Sequence, residues 1–288
     1  MIKQLTIFGV GLIGGSLALA LRKSKYCEHI IGCSRNKEHL EKAVELGVID
    51  SYSLDPVEAV SGSDMVLLAV PMGAMETVLS QIADALSPDA IVTDAGSSKA
   101  SVVRAAEIAF SGVPDFFVPA HPIAGREKSG VEAALVDLFV DHKVILTPLE
   151  NTSEDAILRV TKMWEATGAK VKQLGVEQHD LVLAATSHLP HVLAYSLVDT
   201  LSDTDYVDEI FQFAAGGFRD FSRIASSDPV MWRDICLENR TAVLDALTAF
   251  QANLAGLRAM IEQSDKEGLL DTFAHAKQIR DANVMKHR

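Results

Sequence analysis

Apolar and polar positions follow two different rhythms along the first 175 residues of this 288-residue chain. Short, nearly continuous apolar runs are typical of strands that are buried on both faces of a parallel sheet. Between them lie segments with the period of amphipathic helices, such as 37–46 and 156–167. This alternation predicts an α/β fold with a doubly wound parallel sheet. The predicted strands are Leu5–Phe8, His29–Cys33, Met65–Val70, Ala90–Asp94, Phe117–Ala120, Val144–Thr147 and Lys170–Leu174.

From residue 176 onward the strand pattern stops. Helical periodicity covers residues 177–200, 205–215, 228–262 and 266–283. We therefore predict two domains, a sheet domain over 1–175 and an all-α domain over 176–288. Long apolar stripes in the helical half are typical of faces that a partner chain covers. We predict a homodimer, with a monomer as the alternative.

A glycine-rich turn follows the first predicted strand. Gly9, Gly11 and Gly14 have the spacing G-x-G-x-x-G, and helix-forming residues come next. In such turns the glycines permit a tight turn, a close approach to a pyrophosphate and close packing of helix on strand. The helix then points its free N–H groups at the phosphates. We interpret 1–175 as a Rossmann-type dinucleotide-binding domain. Its expected cofactor contacts are Gly9, Gly11, Leu12, Ile13, Gly14, Val70 and Pro71.

Two other interpretations of this stretch are weaker. A bare glycine motif also occurs by chance, and the uncharged run from Gln4 to Leu21 has the composition of a membrane span. Glycines at a strand-to-helix turn argue against a span. We expect no other segment of the chain to resemble one, and no signal-like segment is recognisable.

The end of the second predicted strand indicates which dinucleotide is preferred. An acidic residue there binds the ribose 2′-hydroxyl of NAD, whereas an arginine with a small polar neighbour accommodates the 2′-phosphate of NADP. Here Ser34 and Arg35 follow the strand, and Arg35 lies 21 residues after Gly14. We predict NADP as the preferred cofactor. The alternative is a solvated Arg35 and a site that takes NADP or NAD.

Composition narrows the range of partners. The chain is 48% hydrophobic and 23% charged, as soluble globular proteins are. A net charge of −13 without a concentrated basic segment argues against a nucleic-acid partner. The cysteines Cys27, Cys33 and Cys236 lack metal-site spacing. We expect a reduced, cytoplasmic protein with no metal centre.

Three groups of polar residues stand where chemistry is expected. The first, DAGSSK at 94–99, follows a predicted strand, and the second, HPIAGREKSG at 121–130, lies just past another. Open α/β sheets bind ligands at the carboxyl ends of their strands. The third group lies in the helical half and combines SHLPH at 187–191, FRDFSRIA at 218–225 and DPVMWRDI at 228–235.

In this order, these motifs resemble the prephenate/arogenate dehydrogenase family of tyrosine biosynthesis. The resemblance covers residues 5 to about 240, and its inner motifs are more specific than the glycine turn. It implies oxidative decarboxylation of a cyclohexadienyl substrate, prephenate to 4-hydroxyphenylpyruvate or arogenate to tyrosine, with hydride transfer to NAD(P). No residue in the sequence decides between the two substrates.

The resemblance suggests catalytic roles for His121 and Ser97. His121 would hydrogen-bond the ring hydroxyl and take its proton, which a neutral imidazole can do near pH 7. Ser97 would donate to His121 or to the substrate hydroxyl and help orient the nicotinamide. The alternatives are a structural histidine and a helix N-cap. Ser98 departs from the family pattern, which often has an apolar residue there.

Charged residues are expected to bind the substrate anion. Arg223 is our choice for gripping a carboxylate, because a planar guanidinium binds it with two hydrogen bonds. Arg219 is the near competitor, with a surface salt bridge as its alternative role. Glu127 is expected to pair with a pocket arginine and gate access, or to be a solvated carboxylate.

Two histidines are expected at the substrate. In the family the second histidine of the SHLPH motif lines the substrate pocket, so we assign His188 and His191 to that pocket and favour His191. Pro190 between them and the lack of a third ligand nearby argue against a metal pair. Trp232 is expected to pack near the pocket without direct contact.

Two other functions are open at this point. A β-hydroxyacid dehydrogenase also has a dinucleotide domain followed by helices, but it would carry a catalytic lysine early in the helical half. Residues 176–235 contain no lysine. A sensor or scaffold protein that binds NADP would have no reason to keep both His121 and Arg223.

Overall fold

Six parallel strands form the main sheet. In the computed structural model, which describes residues 1–126 and 128–283, their order is β3-β2-β1-β4-β5-β6. Leu5 of the central strand lies between Ile30 and Met65 of its neighbours. The predicted doubly wound sheet is confirmed, and a short polar strand that the pattern missed extends one edge. The strands are β1 (Ile2–Phe8), β2 (Cys27–Cys33), β3 (Ser51–Ser53), β4 (Met65–Leu68), β5 (Ile91–Asp94) and β6 (Phe117–Val118).

The core lies on both faces of this sheet. Alternate residues of β4 enter opposite hydrophobic clusters: Met65 and Leu67 pack on one side, Val66 and Leu68 on the other. A strand buried on both sides needs an unbroken apolar run, which is why these strands were recognisable. The helices of this part are α1 (Leu12–Lys23), α2 (Lys37–Glu45), α3 (Pro56–Val60), α4 (Met75–Ile82), α5 (Lys99–Phe110) and α6 (Glu154–Glu165).

A second sheet of three strands follows the first. It has the order β7 (Ala120–Ile123), β8 (Lys143–Leu146) and β9 (Lys170–Gln173), with β7 antiparallel to β8 and β8 parallel to β9. The prediction of one strand over 117–120 is wrong, because the chain changes sheets at Pro119. The last two predicted strands therefore belong to this small mixed sheet and do not extend the large parallel one.

After β9 the described chain is entirely helical, as predicted. One long run combines α7 (Val176–Leu183), a π-helical turn (Ala184–His188) and α8 (Leu189–Ser202). The predicted helix over 228–262 is interrupted at Asn239. The remaining helices are α9 (Val207–Gln212), α10 (Gly216–Ser222), α11 (Pro229–Glu238), α12 (Arg240–Glu262) and α13 (Lys266–Asn283).

Residues 1–240 form one compact unit, and the described residues from 241 form a second. The first unit thus includes helices α7 to α11 together with both sheets. Within this unit, α7 makes buried polar contacts with β7 and α5, described below. The domain boundary between residues 175 and 176 stays a prediction.

One helical segment meets the length and hydropathy expected of a membrane span. It is Val176–Ser202, 27 residues long, with a mean hydropathy of 1.4. The expectation that no segment beyond the glycine turn resembles a span is therefore wrong. The segment is weak evidence for a membrane, since helices in the core of folded domains are often equally long and apolar. Its side chains His179, Asp180 and His188 are buried within the first compact unit.

Candidate active site

A cavity of about 470 Å³ opens within the first compact unit. It lies where the start of α1, strand β7, and helices α8 and α11 meet. The predicted site residues on its wall are Leu12, Ile13, Ser97, His121, His188, His191 and Arg223. Catalytic, substrate and cofactor residues proposed separately from sequence are thus brought together around one space.

His121 lies in β7, not beyond the end of a strand as the sequence suggested. The residue before it, Ala120, is held from both sides. Its N–H donates to Asp94 Oδ1 at 3.0 Å, and its carbonyl accepts from Lys99 Nζ at 2.6 Å. Lys99 also forms a fully buried ion pair with Asp94. This pair fixes the chain where it changes sheets and so fixes the start of the strand that carries His121.

A line of hydrogen bonds sets the tautomer of His121. The Asp180 carboxylate accepts the backbone N–H groups of Lys99 and Ala100 at 2.8 and 2.9 Å, and its Oδ1 lies 2.8 Å from His179 Nδ1. A carboxylate with these donors only accepts, so His179 Nδ1 carries hydrogen and its Nε2 is an acceptor. His179 Nε2 lies 2.9 Å from His121 Nδ1. His121 must donate there, which leaves the lone pair of its Nε2 for the cavity.

The electrostatics favour a neutral base. Burial, with smaller contributions from His179, Lys99 and His188, holds the pKa of His121 well below its usual value of 6.5. Burial also lowers the pKa of His179, against the opposing effect of Asp180. For Asp180, burial raises the pKa, but the hydrogen bonds from His179, Lys99 and Ala100 outweigh it and lower the pKa overall. At neutral pH Asp180 is therefore a carboxylate, and both His179 and His121 are neutral.

His188, His191 and Trp232 form another part of the wall. The His191 ring stacks on Trp232 with 3.6 Å between ring centroids. Trp232 therefore packs at the pocket, and it also lines the cavity. Burial lowers the pKa of His188 to about 4 and also lowers the pKa of His191. Both rings are neutral at pH 7.

The two candidate arginines differ in position. Arg223 lines the cavity, whereas Arg219, on α10, is exposed and is not part of its wall. Glu127 lies outside the described residues. Ser97 is half-buried on the wall, and Ser98, not Ser97, occupies the N-cap position of α5. The N-cap alternative for Ser97 is therefore wrong.

The glycine turn has the shape that a dinucleotide needs. Gly9 has φ +87°, and a Cβ there would overlap the carbonyl oxygen of Ala69. A Cβ on Gly14 would overlap the carbonyl oxygen of Gly9. By contrast, a Cβ on Gly11 would meet nothing within 4 Å, so open space lies beside the start of α1. That space and the free N–H groups of the helix fit a pyrophosphate.

The remaining cofactor candidates surround this turn. The N–H of Gly9 donates to Cys33 O at 3.0 Å, which brings the end of β2 and the following Ser34 and Arg35 beside it. Ala69, the first residue after β4, lies against Gly9. The next two residues, Val70 and Pro71, are therefore also close to the glycine turn. Arg35 is exposed, and Ser34 Oγ accepts the N–H of Asn36 at 3.1 Å.

Family models match almost the whole chain. The model described as the nucleotide-binding domain of prephenate dehydrogenase matches residues 17–173, and that of its dimerisation domain matches residues 175–275. The chain belongs to the prephenate dehydrogenase family. The fold and the family resemblance predicted from the sequence are both confirmed, and the enzyme is an oxidoreductase.

Three members of the family are similar to this chain over most of its length. The cyclohexadienyl dehydrogenase of Zymomonas mobilis is 39% identical, over 99% of this chain and 97% of the relative. The prephenate dehydrogenase of Bacillus subtilis is 37% identical, over 97% of this chain and 76% of the relative. The crystal structure of prephenate dehydrogenase from A. aeolicus with hydroxyphenyl propionate and NAD+ has a TM-score of 0.90 and 39% identity, over 98% of both chains.

Several polar residues of this family member were not recognised in the sequence. His179, Asp180 and Asn239 are all buried, and Asn239 Nδ2 lies 2.9 Å from the Asp180 carbonyl oxygen. The only signal was a His-Asp pair at the start of the helical half. Neither residue follows a predicted strand, so nothing in the local pattern placed them behind His121.

Proposed function

We propose that this chain catalyses the oxidative decarboxylation of prephenate, of arogenate or of both, in tyrosine biosynthesis. The observation that carries the proposal is the His121 Nε2 lone pair, held toward a cavity that Arg223 also lines. The names of the Zymomonas and Bacillus relatives support this substrate class.

The residues of the cavity suit each part of this reaction. His121 Nε2 accepts the proton of the ring hydroxyl, and the resulting imidazolium is stabilised through His179 by the Asp180 carboxylate. Arg223 offers a planar guanidinium to a substrate carboxylate. NAD(P), held at the glycine turn by the N–H groups at the start of α1, would supply the acceptor for the hydride of the carbon that bears the hydroxyl. The ring carboxylate then leaves as carbon dioxide, its bonding electrons complete the aromatic ring, and the ring oxygen takes the proton back from His121.

We also propose NADP as the preferred cofactor. Arg35 is exposed beside the glycine turn, and the side chains that follow β2 there, Ser34, Arg35 and Asn36, carry no carboxylate. The A. aeolicus relative was crystallised with NAD+, so use of both cofactors is the competing possibility. We further propose a cytoplasmic homodimer, which the match to a dimerisation domain supports.

The decisive experiment measures initial rates of reduced-nicotinamide formation with prephenate or arogenate, each with NADP or NAD. Turnover of either substrate establishes the reaction, and the cofactor ratio tests the role of Arg35. The variant His121→Asn should lower kcat by about 10²- to 10⁴-fold and leave cofactor affinity unchanged. Undiminished turnover by this variant contradicts the proposed base. No turnover by the folded, cofactor-binding wild type contradicts the function and favours a sensor.

A further inference from the structure

Asn239 connects two parts of the site from behind the cavity wall. It lies at the break between α11 and α12 and is buried. Its amide nitrogen is 2.9 Å from the carbonyl oxygen of Asp180 and 3.1 Å from Nδ1 of His188. A carbonyl oxygen only accepts, so the NH₂ group of Asn239, and not its oxygen, must face Asp180. The same NH₂ group then supplies its second hydrogen to His188.

This contact fixes the hydrogen of His188. Because Nδ1 accepts from Asn239, the neutral ring carries its hydrogen on Nε2. His188 is 1% exposed and lines the cavity, and among the described residues its Nε2 has no hydrogen-bond partner. Nε1 of Trp232, on the same wall, likewise has no partner in the described part of the chain. Buried donors without acceptors are rare in folded proteins, and a ligand oxygen satisfies them.

The neighbouring histidine has the opposite polarity. His191 Nδ1 lies 2.9 Å from the carbonyl oxygen of Ser187, so it must donate there and keep an acceptor at Nε2. Two rings of the same motif, both in residues that line the cavity, thus carry opposite groups at Nε2, a donor in His188 and an acceptor in His191. The difference does not come from the rings themselves. It comes from the group behind each ring, an amide NH₂ for His188 and a carbonyl for His191.

We propose that Asn239 is a positioning residue for substrate binding, which holds His188 as the Nε2–H tautomer so that it donates to a carboxylate or keto oxygen of the substrate. The proposal rests on the proposed function for the identity of the ligand. It assigns a purpose to the break between α11 and α12, since Asn239 contacts both partners from that joint.

Two variants of Asn239 separate this role from simple structural support. In Asn239→Asp the new carboxylate accepts from His188 Nδ1 and reverses the tautomer of the neutral ring, whereas Asn239→Leu leaves the tautomer free. We expect Asn239→Asp to raise the KM for prephenate about tenfold, with a smaller rise for Asn239→Leu and little change in kcat for either. Support of the fold alone predicts that both variants lower the free energy of unfolding, aspartate more because it buries an unpaired charge, and that the KM of the folded enzyme stays at the wild-type value. That result, or a loss confined to kcat, overturns the proposal.

The tautomer can also be measured without turnover. Long-range ¹⁵N–¹H correlation spectra of the histidine-labelled protein, with His188 assigned through His188→Gln, should show hydrogen on Nε2 in the wild type. Hydrogen on Nδ1 overturns the proposal, even if Asn239→Asp fails to fold. The matched control is Asn151→Asp, because the exposed Asn151 amide also donates to a carbonyl, that of Val113, away from the cavity. If the wild type turns over no cyclohexadienyl substrate, the proposed function fails while the tautomer result still stands.

Discussion

For three buried histidines at or behind the cavity wall, a hydrogen-bond partner decides which ring nitrogen carries the hydrogen. Asp180 sets the hydrogen of His179, His179 sets that of His121, and a separate amide sets that of His188. A neutral imidazole has one donor and one acceptor, so the buried partner of one nitrogen decides what the other nitrogen offers the substrate. Replacing a partner should therefore change chemistry at a ring that is itself intact.

The variant Asp180→Asn tests this at His121, the proposed base. The amide lacks the negative charge that stabilises an imidazolium at His121 through His179, and its NH₂ group faces one of the backbone N–H groups that the carboxylate accepts. We expect kcat to fall by about 10²- to 10⁴-fold while the KM changes little. Asp199→Asn, at an exposed position of α8, is the matched control and should be neutral. A wild-type kcat in Asp180→Asn contradicts the relay.

The pH profile of the wild type gives a second measurement of the same relay. The pKa of His121 lies well below 6.5, so the base stays unprotonated as the pH falls from neutral through that value. We expect kcat/KM to remain constant there and to decline only when the pH passes through the lowered pKa. An acid limb at or above pH 6.5 contradicts the neutral, buried base.

The two arginines form a natural pair for testing substrate recognition. Arg223 lines the cavity and Arg219 does not. Lysine keeps the charge but loses the planar fork, so Arg223→Lys should raise the KM for the substrate roughly 10- to 100-fold. Arg219→Lys should leave the KM within about twofold of wild type, since surface substitutions are small in effect. Equal effects of the two changes contradict the assignment of the carboxylate to Arg223.

At the level of elements, two glycines of the β1–α1 turn have different roles: Gly14 is needed for packing, and Gly11 leaves space for the cofactor. Gly14→Ala forces a Cβ onto the Gly9 carbonyl and should lower the free energy of unfolding by about 1–3 kcal/mol. Gly11→Ala meets open space and should change stability by less than about 0.5 kcal/mol. It should still weaken cofactor binding about tenfold or more, because its methyl group occupies the space beside the helix start. Urea unfolding and cofactor titration measure the two effects; unchanged cofactor affinity in Gly11→Ala contradicts the phosphate site.

The sequence pattern predicted those elements that depend only on residues close together in the chain. The apolar runs of β4 and β5 follow from burial on both faces, and the glycine spacing follows from the turn. The change of sheets at Pro119 depends instead on the buried pair of Lys99 and Asp94, which the apolar pattern does not register. The break at Asn239 is also set by distant partners. Accordingly His121 and Arg223, which the sequence motifs suggested, line the cavity, whereas the residues that contact His121 and His188 from behind emerged only from the fold.

At the scale of the whole molecule, the cavity and a set of exposed apolar side chains on the last helices lie in different parts of the described chain. Every residue of the cavity wall lies within 1–240. Helices α12 and α13 carry large side chains that the chain leaves uncovered, including Leu254 at 55%, Leu270 at 68% and Phe273 at 58% exposure. Apolar side chains exposed to this degree on adjoining helices are typical of an interface with another chain. The match of 175–275 to a dimerisation domain covers all three.

We therefore expect the protein to sediment at micromolar concentration with twice its chain mass of 31.0 kDa. Leu270→Glu combined with Phe273→Glu places charges where a partner chain would desolvate them, and it should yield a folded monomer. The control is Val57→Glu, since Val57 is 51% exposed on α3, outside the match to the dimerisation domain, and this change should leave the mass unchanged. A wild type that sediments as a monomer contradicts the homodimer. A double variant that keeps the dimeric mass shows instead that its interface lies on other helices.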